Sequence, residues 1–240
     1  MSLLTLEAVE KRYSGPSRQR IVLRDVTLEI ETGELVVVWG LKGSGRSTLL
    51  RVAAGIEAPD SGSVRFEGRD VTEHGDDLLG GAVGYCERTF RCAEGQDVLD
   101  QVTVGLLARG VAPRRARSRA QRALQRAGAE HYATQPLGWL DAAESVRVAI
   151  ARTLALEPSL LVIDEPTRGV DLLERDGILA LLRSLADAGI AILASAGEST
   201  GLAGADRALV LSEGELRGAP TAELATVLPL RRPAGWRATA

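Results

Sequence analysis

The pattern of apolar and polar positions changes period along the chain, and each change predicts an element. "LLTLEAVEKRY" and "IVLRDVTLEIE" alternate apolar and polar residues, which predicts half-exposed strands. "ELVVVWG" is a continuous apolar run and reads as a strand buried on both faces. A glycine-rich stretch follows, and "RSTLLRVAAGI" then takes helical spacing with a glycine near its end. "SGSVRFEGRDV" reads as a hairpin, with Pro59, Asp60 and Gly62 supplying the turn chemistry. From about Val98 to Arg126 the chain is rich in Ala, Leu, Val and Arg at helical spacing. Within it "PRRARSRAQRALQRAG" is a strongly basic helix, read either as a solvated face or as a contact surface for a protein partner or anionic lipid headgroups. The last third alternates again: helix "SVRVAIARTLAL", buried strand "SLLVIDE", helix "LLERDGILALLRSLADAG", strand "IAILAS" and hairpin "RALVLSEGELRG". Strands alternating with helices predict an α/β fold with a mostly parallel sheet. The tail "LPLRRPAGWRATA" shows no period and reads as mobile.

Composition narrows the class. With 240 residues and 45% apolar content a sizeable core can form, and 3% aromatics make it a core of Leu, Val, Ala and Ile. A net charge of −3 argues against a general nucleic-acid binder. Cys86 and Cys92 are too few for a disulfide framework and lack zinc-type spacing, which fits a reducing cytoplasm. The first residues turn charged by Glu7, so no signal peptide is expected. No run of about 18 apolar residues occurs, so a membrane role requires a partner.

Two motifs carry chemistry. "GLKGSGRST", residues 40–48, nearly fits the phosphate-loop pattern G-x-x-x-x-G-K-[ST], with Arg46 in the lysine slot. Glycines let backbone N–H groups converge on phosphate oxygens, and the following helix N-terminus favours the anion. "SLLVIDEP" ends an apolar strand in Asp164 and Glu165, two acids placed to hold Mg²⁺ and to polarise a water. A glycine-rich turn is the alternative for the first, though Ser47 and Thr48 also match the phosphate loop, and a simple strand exit is the alternative for the second; together in one chain they speak for a nucleotide site.

With these pieces in order, "VRVAIARTLALEPSLLVIDEPTRGVD" resembles the ATP-binding subunit of ABC transporters, and the resemblance runs from about Leu3 to Gly218. It implies a P-loop NTPase (RecA-like) α/β core with an antiparallel β-subdomain and a small α-helical subdomain. The single ATP-binding domain is expected over residues 1–228, its helical subdomain at 93–137, and a flexible tail at 229–240. ATP and Mg²⁺ are the implied cofactors. Tyr13 takes the place of the aromatic residue that stacks on adenine, or is merely an exposed strand-end tyrosine. Gly40, Gly43, Ser44, Gly45, Arg46, Ser47 and Thr48 form the loop; Ser47 and Asp164 hold Mg²⁺; Glu165 is the general base. Asp171 in "TRGVD" matches an aspartate at the dimer interface, and Arg147 and Arg152 match the helix after the family signature.

Other positions depart from that pattern. Arg46 replaces lysine, and arginine is longer, planar and forked, so the exchange is not conservative in a tight site. Arg88 in "VGYCER" replaces the glutamine that senses Mg²⁺ and the attacking water. Ala196 in "ILASAGE" replaces the histidine at the γ-phosphate. "LDAAE" (Leu140, Asp141, Ala142, Ala143 and Glu144) stands where the family has L-S-G-G-Q. Asp141 would set a carboxylate against a partner's phosphates, and it also reads as an ordinary helix N-cap. His74 and His131 lie far from these motifs and read as surface residues, and Cys86 and Cys92 as unpaired thiols.

The expectation is an ATP-binding subunit of a membrane transport complex, with weakened or absent hydrolysis. Its partners would be transmembrane subunits and a second ATP-binding subunit, with a heterodimer favoured and no nucleic acid. It would sit in the cytoplasm at the inner face of the membrane. A catalytically dead interaction module and an ordinary active ABC ATPase are the alternatives.

Overall fold

A computed structural model describes residues 2–14, 19–71, 81–86 and 96–218. Arg88, Cys92, His74 and the 229–240 tail lie outside these residues, so the expectations placed on them have no structural counterpart here.

The alternating stretches form strands β1 (Ser2–Ser14) and β2 (Gln19–Glu31). Leu4, Leu6 and Val9 on β1 and Leu23, Val26, Leu28 and Ile30 on β2 are buried, while Glu7 and Glu29 face solvent. With β4 (Ser61–Phe66) and β5 (Arg69–Asp70) they make an antiparallel sheet in the order β2-β1-β4-β5. Gly62 corrects one expectation. It lies inside β4 rather than in the turn, with φ +83°, opposite the register shift between Glu7 and Glu10. A Cβ there would fall 2.4 Å from the Ala8 carbonyl oxygen, so the glycine admits a bulge.

The second sheet holds β3 (Leu35–Trp39), β6 (Val83–Cys86), β7 (Leu160–Ile163), β8 (Ala191–Ala196), β9 (Arg207–Ser212) and β10 (Glu215–Gly218). Its order is β10-β9-β3-β8-β7-β6. All neighbours are parallel except β9 and β10. The continuous apolar runs become the central strands because both faces are covered. Leu35, Val37, Leu161, Ile163, Ile192 and Ala194 point into one core with the long helices. Val36, Val38, Leu160, Val162, Ala191 and Leu193 point into a second core with the antiparallel sheet. Helix α1 (Arg46–Ala53) packs in that second core through Leu49, Leu50 and Val52.

The long helices are α2 (Val98–Leu107), α3 (Pro113–Arg126), α4 (Ala142–Leu154) and α5 (Leu172–Asp187). The basic run is α3. Its Ala116, Ala120, Ala123 and Leu124 face the core, and Arg114, Arg115, Arg117, Arg122 and Arg126 face solvent. Arg117 pairs with Asp100 at 3.5 Å, and Arg119 with Glu157 at 3.2 Å. Ends of the central strands β3, β7 and β8 converge at one edge, where the loop, Asp164, Glu165 and Ala196 meet.

Candidate functional site

The loop between β3 and α1 is shaped by its glycines. A Cβ on Gly40 would meet the Leu211 carbonyl oxygen at 2.5 Å. Gly45 sits at φ +108°, and a Cβ there would meet the Val22 carbonyl oxygen at 2.8 Å. No side chain caps α1, and no acid lies in its first turn. The N-terminal amides are therefore left for an anion. Arg20 donates to the Gly43 carbonyl oxygen at 2.8 Å and steadies the loop from β2.

Ser47 and Asp164 meet as expected from their motifs: the serine hydroxyl donates to Asp164 Oδ2 at 2.7 Å. Ser195, which sequence reasoning passed over, completes the arrangement. Its hydroxyl donates to Asp164 Oδ1 and accepts the Glu165 N–H at 2.9 Å. The only hint in the sequence is a hydroxyl in the apolar run "AILASA"; in the fold Ser195 is 1% exposed. Glu165 occupies the left-handed region, at φ +46°. Two oxygen donors on adjacent elements, with glycine backbone beside them, suit a hard cation carrying a phosphate chain.

Arg46 does something its spacing does not announce. It is 8% exposed and folds across the strand ends. Nη1 donates to the carbonyl oxygens of Gly40 and Ala196, and Nη2 donates to Glu165 Oε1. Arg168 donates from the other side, to Glu165 Oε2 at 2.9 Å. Both oxygens of the Glu165 carboxylate thus accept from arginines. Ala196 takes part through its backbone oxygen, while its methyl group is buried.

Tyr13, at the end of β1, borders the loop across a cleft of about 310 Å³. Its hydroxyl donates to Glu57 Oε1 at 2.6 Å, accepts from Arg51 at 3.3 Å, and lies 3.4 Å from the Thr48 hydroxyl. Burial pushes the Glu57 carboxyl upward, but hydrogen bonds from Tyr13 and Arg51 and the charges of Arg51 and Lys11 outweigh it, holding Glu57 below its usual range. Lys11 Nζ lies 5.9 Å from the Tyr13 ring centroid. One face of the ring therefore carries a cation, and about a third of the residue is exposed.

The "LDAAE" segment opens α4. Asp141 is its N-cap: its carboxylate accepts the Glu144 N–H at 2.8 Å, and the Glu144 carboxylate accepts the Asp141 N–H at 2.9 Å. Asp141 and Ala142 are exposed, Ala143 is buried, and Leu140 is half-buried against the helical core. Tyr132 leans on this cap, and burial followed by the nearby Glu144 carboxylate pushes its phenol upward. Asp171 caps α5 by position alone, without a side-chain hydrogen bond, and the next two residues, Leu172 and Leu173, are 74% and 93% exposed. Arg147 donates to the Ala127 carbonyl oxygen at 3.1 Å, tying α4 to the end of α3. His131 is exposed, as expected, and Cys86 is buried. Among the described residues no cluster of His, Cys, Asp and Glu suits a metal held by protein alone.

Comparisons with known proteins agree with this architecture. Residues 23–168 match the ABC transporter family profile. The taurine import ATP-binding protein TauB of Pseudomonas aeruginosa UCBPP-PA14 is 36% identical over 185 residues, 77% of this chain and 68% of that protein. The lipoprotein-releasing system ATP-binding protein LolD of Chromohalobacter salexigens is 34% identical over 188 residues, 77% of this chain and 79% of its own. Among solved structures, the dimeric ATP-binding cassette MJ0796 bound to ADP and Pi superposes with a TM-score of 0.79 and 26% identity, covering 89% of this chain and 96% of that one. With the phosphate loop, the acidic strand end and these matches in agreement, the chain belongs to the ABC transporter family as one of its ATP-binding subunits.

Proposed function

We propose that this chain binds Mg-ATP and serves a membrane transport complex as a nucleotide-responsive subunit whose own hydrolysis is slow or absent. The observation that carries the reading is the double engagement of Glu165 by Arg46 and Arg168. A general base must offer an oxygen to the water it polarises. Here each oxygen already gives one lone-pair site to a charge-assisted hydrogen bond, among the stronger kinds in proteins, so a water must compete with Arg46 and Arg168 for the carboxylate.

The remaining residues suit binding. Ser47 and Asp164 would hold Mg²⁺, which supplies charge neutralisation to a phosphate chain when bound. The amides of Gly43, Gly45 and the first turn of α1 would hold the phosphates, and Tyr13 would stack on the base. Ser195 keeps Asp164 aimed at Ser47.

The partner we favour is a second ATP-binding subunit with an intact signature. In α4 the Glu144 N–H, one of the helix-end donors an incoming phosphate would need, is occupied by Asp141. A carboxylate at that end repels phosphate, so two copies of this chain would form two weak sites. The relatives TauB and LolD are ATP-binding proteins of an import and a lipoprotein-releasing system. Transmembrane partners at the inner face of the cell membrane follow by analogy. No helix among the described residues is long and apolar enough to cross a membrane.

The decisive experiment is steady-state turnover at saturating Mg-ATP, compared with the Arg46→Ala, Glu165→Gln double variant. Equal rates, within about twofold, are expected; a wild-type rate far above the variant's would refute slow hydrolysis. Titration with Mg-ATP to millimolar concentration separates the binding subunit from an interaction module that takes no nucleotide.

A further inference from the structure

We infer that Arg46 and Glu165 form an internal lock that sets nucleotide specificity: the site accepts a nucleoside diphosphate without disturbance, and a triphosphate only by breaking the Arg46–Glu165 pair. The inference rests on the reading of the loop as a nucleotide site and concerns which nucleotide it prefers.

A γ-phosphate undergoing attack lies between the loop cation and the base, with the water between it and the base. Two hydrogen-bonded contacts in series, cation to phosphate and water to base, hold these groups roughly 5–6 Å or more apart. In this chain the guanidinium and the carboxylate are in direct contact. No phosphoryl group fits between them while that contact lasts. The loop amides, by contrast, are untouched by Arg46, whose donors go to Gly40, Ala196 and Glu165 at the strand ends. A β-phosphate seated on those amides leaves the lock closed.

The lock is built to hold. Arg46 is 8% exposed and Glu165 nearly as buried, with 11% of its side chain accessible. The fork of a guanidinium bridges several acceptors at once, which a lysine ammonium on a shorter stem does less well. Arg46 ties three separate chain segments: the end of β3 through Gly40, the end of β7 through Glu165 and the end of β8 through Ala196. Arg168 secures the far oxygen of Glu165. Ala196 presents a methyl group, so the γ position gains no compensating side-chain donor from β8. Gly197 completes the packing: a Cβ there would stand 3.0 Å from Glu165 Oε1 and 3.4 Å from Arg46 Nη1, so the backbone closes over the pair.

The test is calorimetric titration of the full chain with Mg-ADP and with a non-hydrolysable Mg-ATP analogue, in the wild type and in Glu165→Ala and Glu165→Gln. In the wild type the diphosphate is expected to bind at least as tightly as the triphosphate analogue. Removing the acceptor in Glu165→Ala frees Arg46 for the γ-phosphate. The analogue should then bind about tenfold more tightly or better, with ADP affinity moving less than about threefold. Glu165→Gln keeps the shape, removes the charge, and should fall between the two. A wild-type preference of more than tenfold for the triphosphate, or an unchanged preference in both variants, would overturn the lock. If wild-type chain binds neither nucleotide, both the lock and the nucleotide-site reading fail. ADP binding with the wrong preference sinks the lock alone.

Discussion

Arginine at position 46 shows how one side chain can change a site without changing its fold. The loop, the acids and Ser47 stand in the positions their motifs imply, yet the cation among them has turned to the strand ends. Arg46→Lys should cost stability, because the Gly40 and Ala196 carbonyl oxygens and one Glu165 oxygen lose a donor that reaches all three. A loss of about 1–3 kcal/mol is expected in urea unfolding; unchanged stability would mean that the network contributes nothing. Tyr13 supports a second prediction. Glu57 is held below its usual range in the folded chain, so its contribution is present above the unfolded carboxylate pKa and fades as pH falls through the lower folded value. Tyr13→Phe removes one hydrogen bond to Glu57 and raises that folded value. Melting temperature followed from pH 7 down to about pH 3 should therefore fall by less in the variant and level off at a higher pH, the onset being set by the unfolded carboxylate in both chains. Coincident curves would exclude a role for the phenol.

At the scale of elements, the local rules that place each helix and strand can also impose chemistry on it. Asp141 and Glu144 make a reciprocal N-cap, and Asp141→Ala should destabilise the chain by about 1 kcal/mol in chemical denaturation. The same substitution removes a carboxylate from the helix end. Gly62 is the strand counterpart. At φ +83°, with the Ala8 carbonyl oxygen 2.4 Å from a would-be Cβ, Gly62→Ala should cost on the order of 1–3 kcal/mol, read as a lower urea midpoint. The hydrophobic pattern sufficed for nearly every element, because strands buried on both faces and helices buried on one leave different periods. Gly62 misled because glycine marks both turns and bulges, and only the partner strand decides between them. The site was legible as far as motifs reach: Gly40 to Thr48, Asp164 and Glu165. Ser195, Arg168 and Glu57 escaped, since each acts through a partner on another segment and a lone hydroxyl or charge has no pattern of its own.

At the scale of the whole molecule, the two sheets share the second of the two cores, and the central strands bring the loop, Asp164, Glu165 and Ala196 to one edge. On the favoured reading, assembly happens at that edge too. With Mg-ATP the purified chain is expected to remain monomeric in light scattering, and to pair only when mixed with an ATP-binding subunit whose signature lacks the carboxylate. A nucleotide-driven homodimer would count against a hetero-partner.

The tie between three strand ends also bears on how this chain could change over generations. A lysine at position 46 would be the shortest path back to an ordinary phosphate loop. That single exchange, however, takes the guanidinium from the Gly40 and Ala196 carbonyl oxygens and from Glu165, leaving Ala196 with the Gly40 N–H at 3.4 Å and Glu165 with Arg168. The tie across Gly40, Glu165 and Ala196 therefore sets a stability cost on any exchange at position 46, and that cost applies whether or not the exchange gains a phosphate contact.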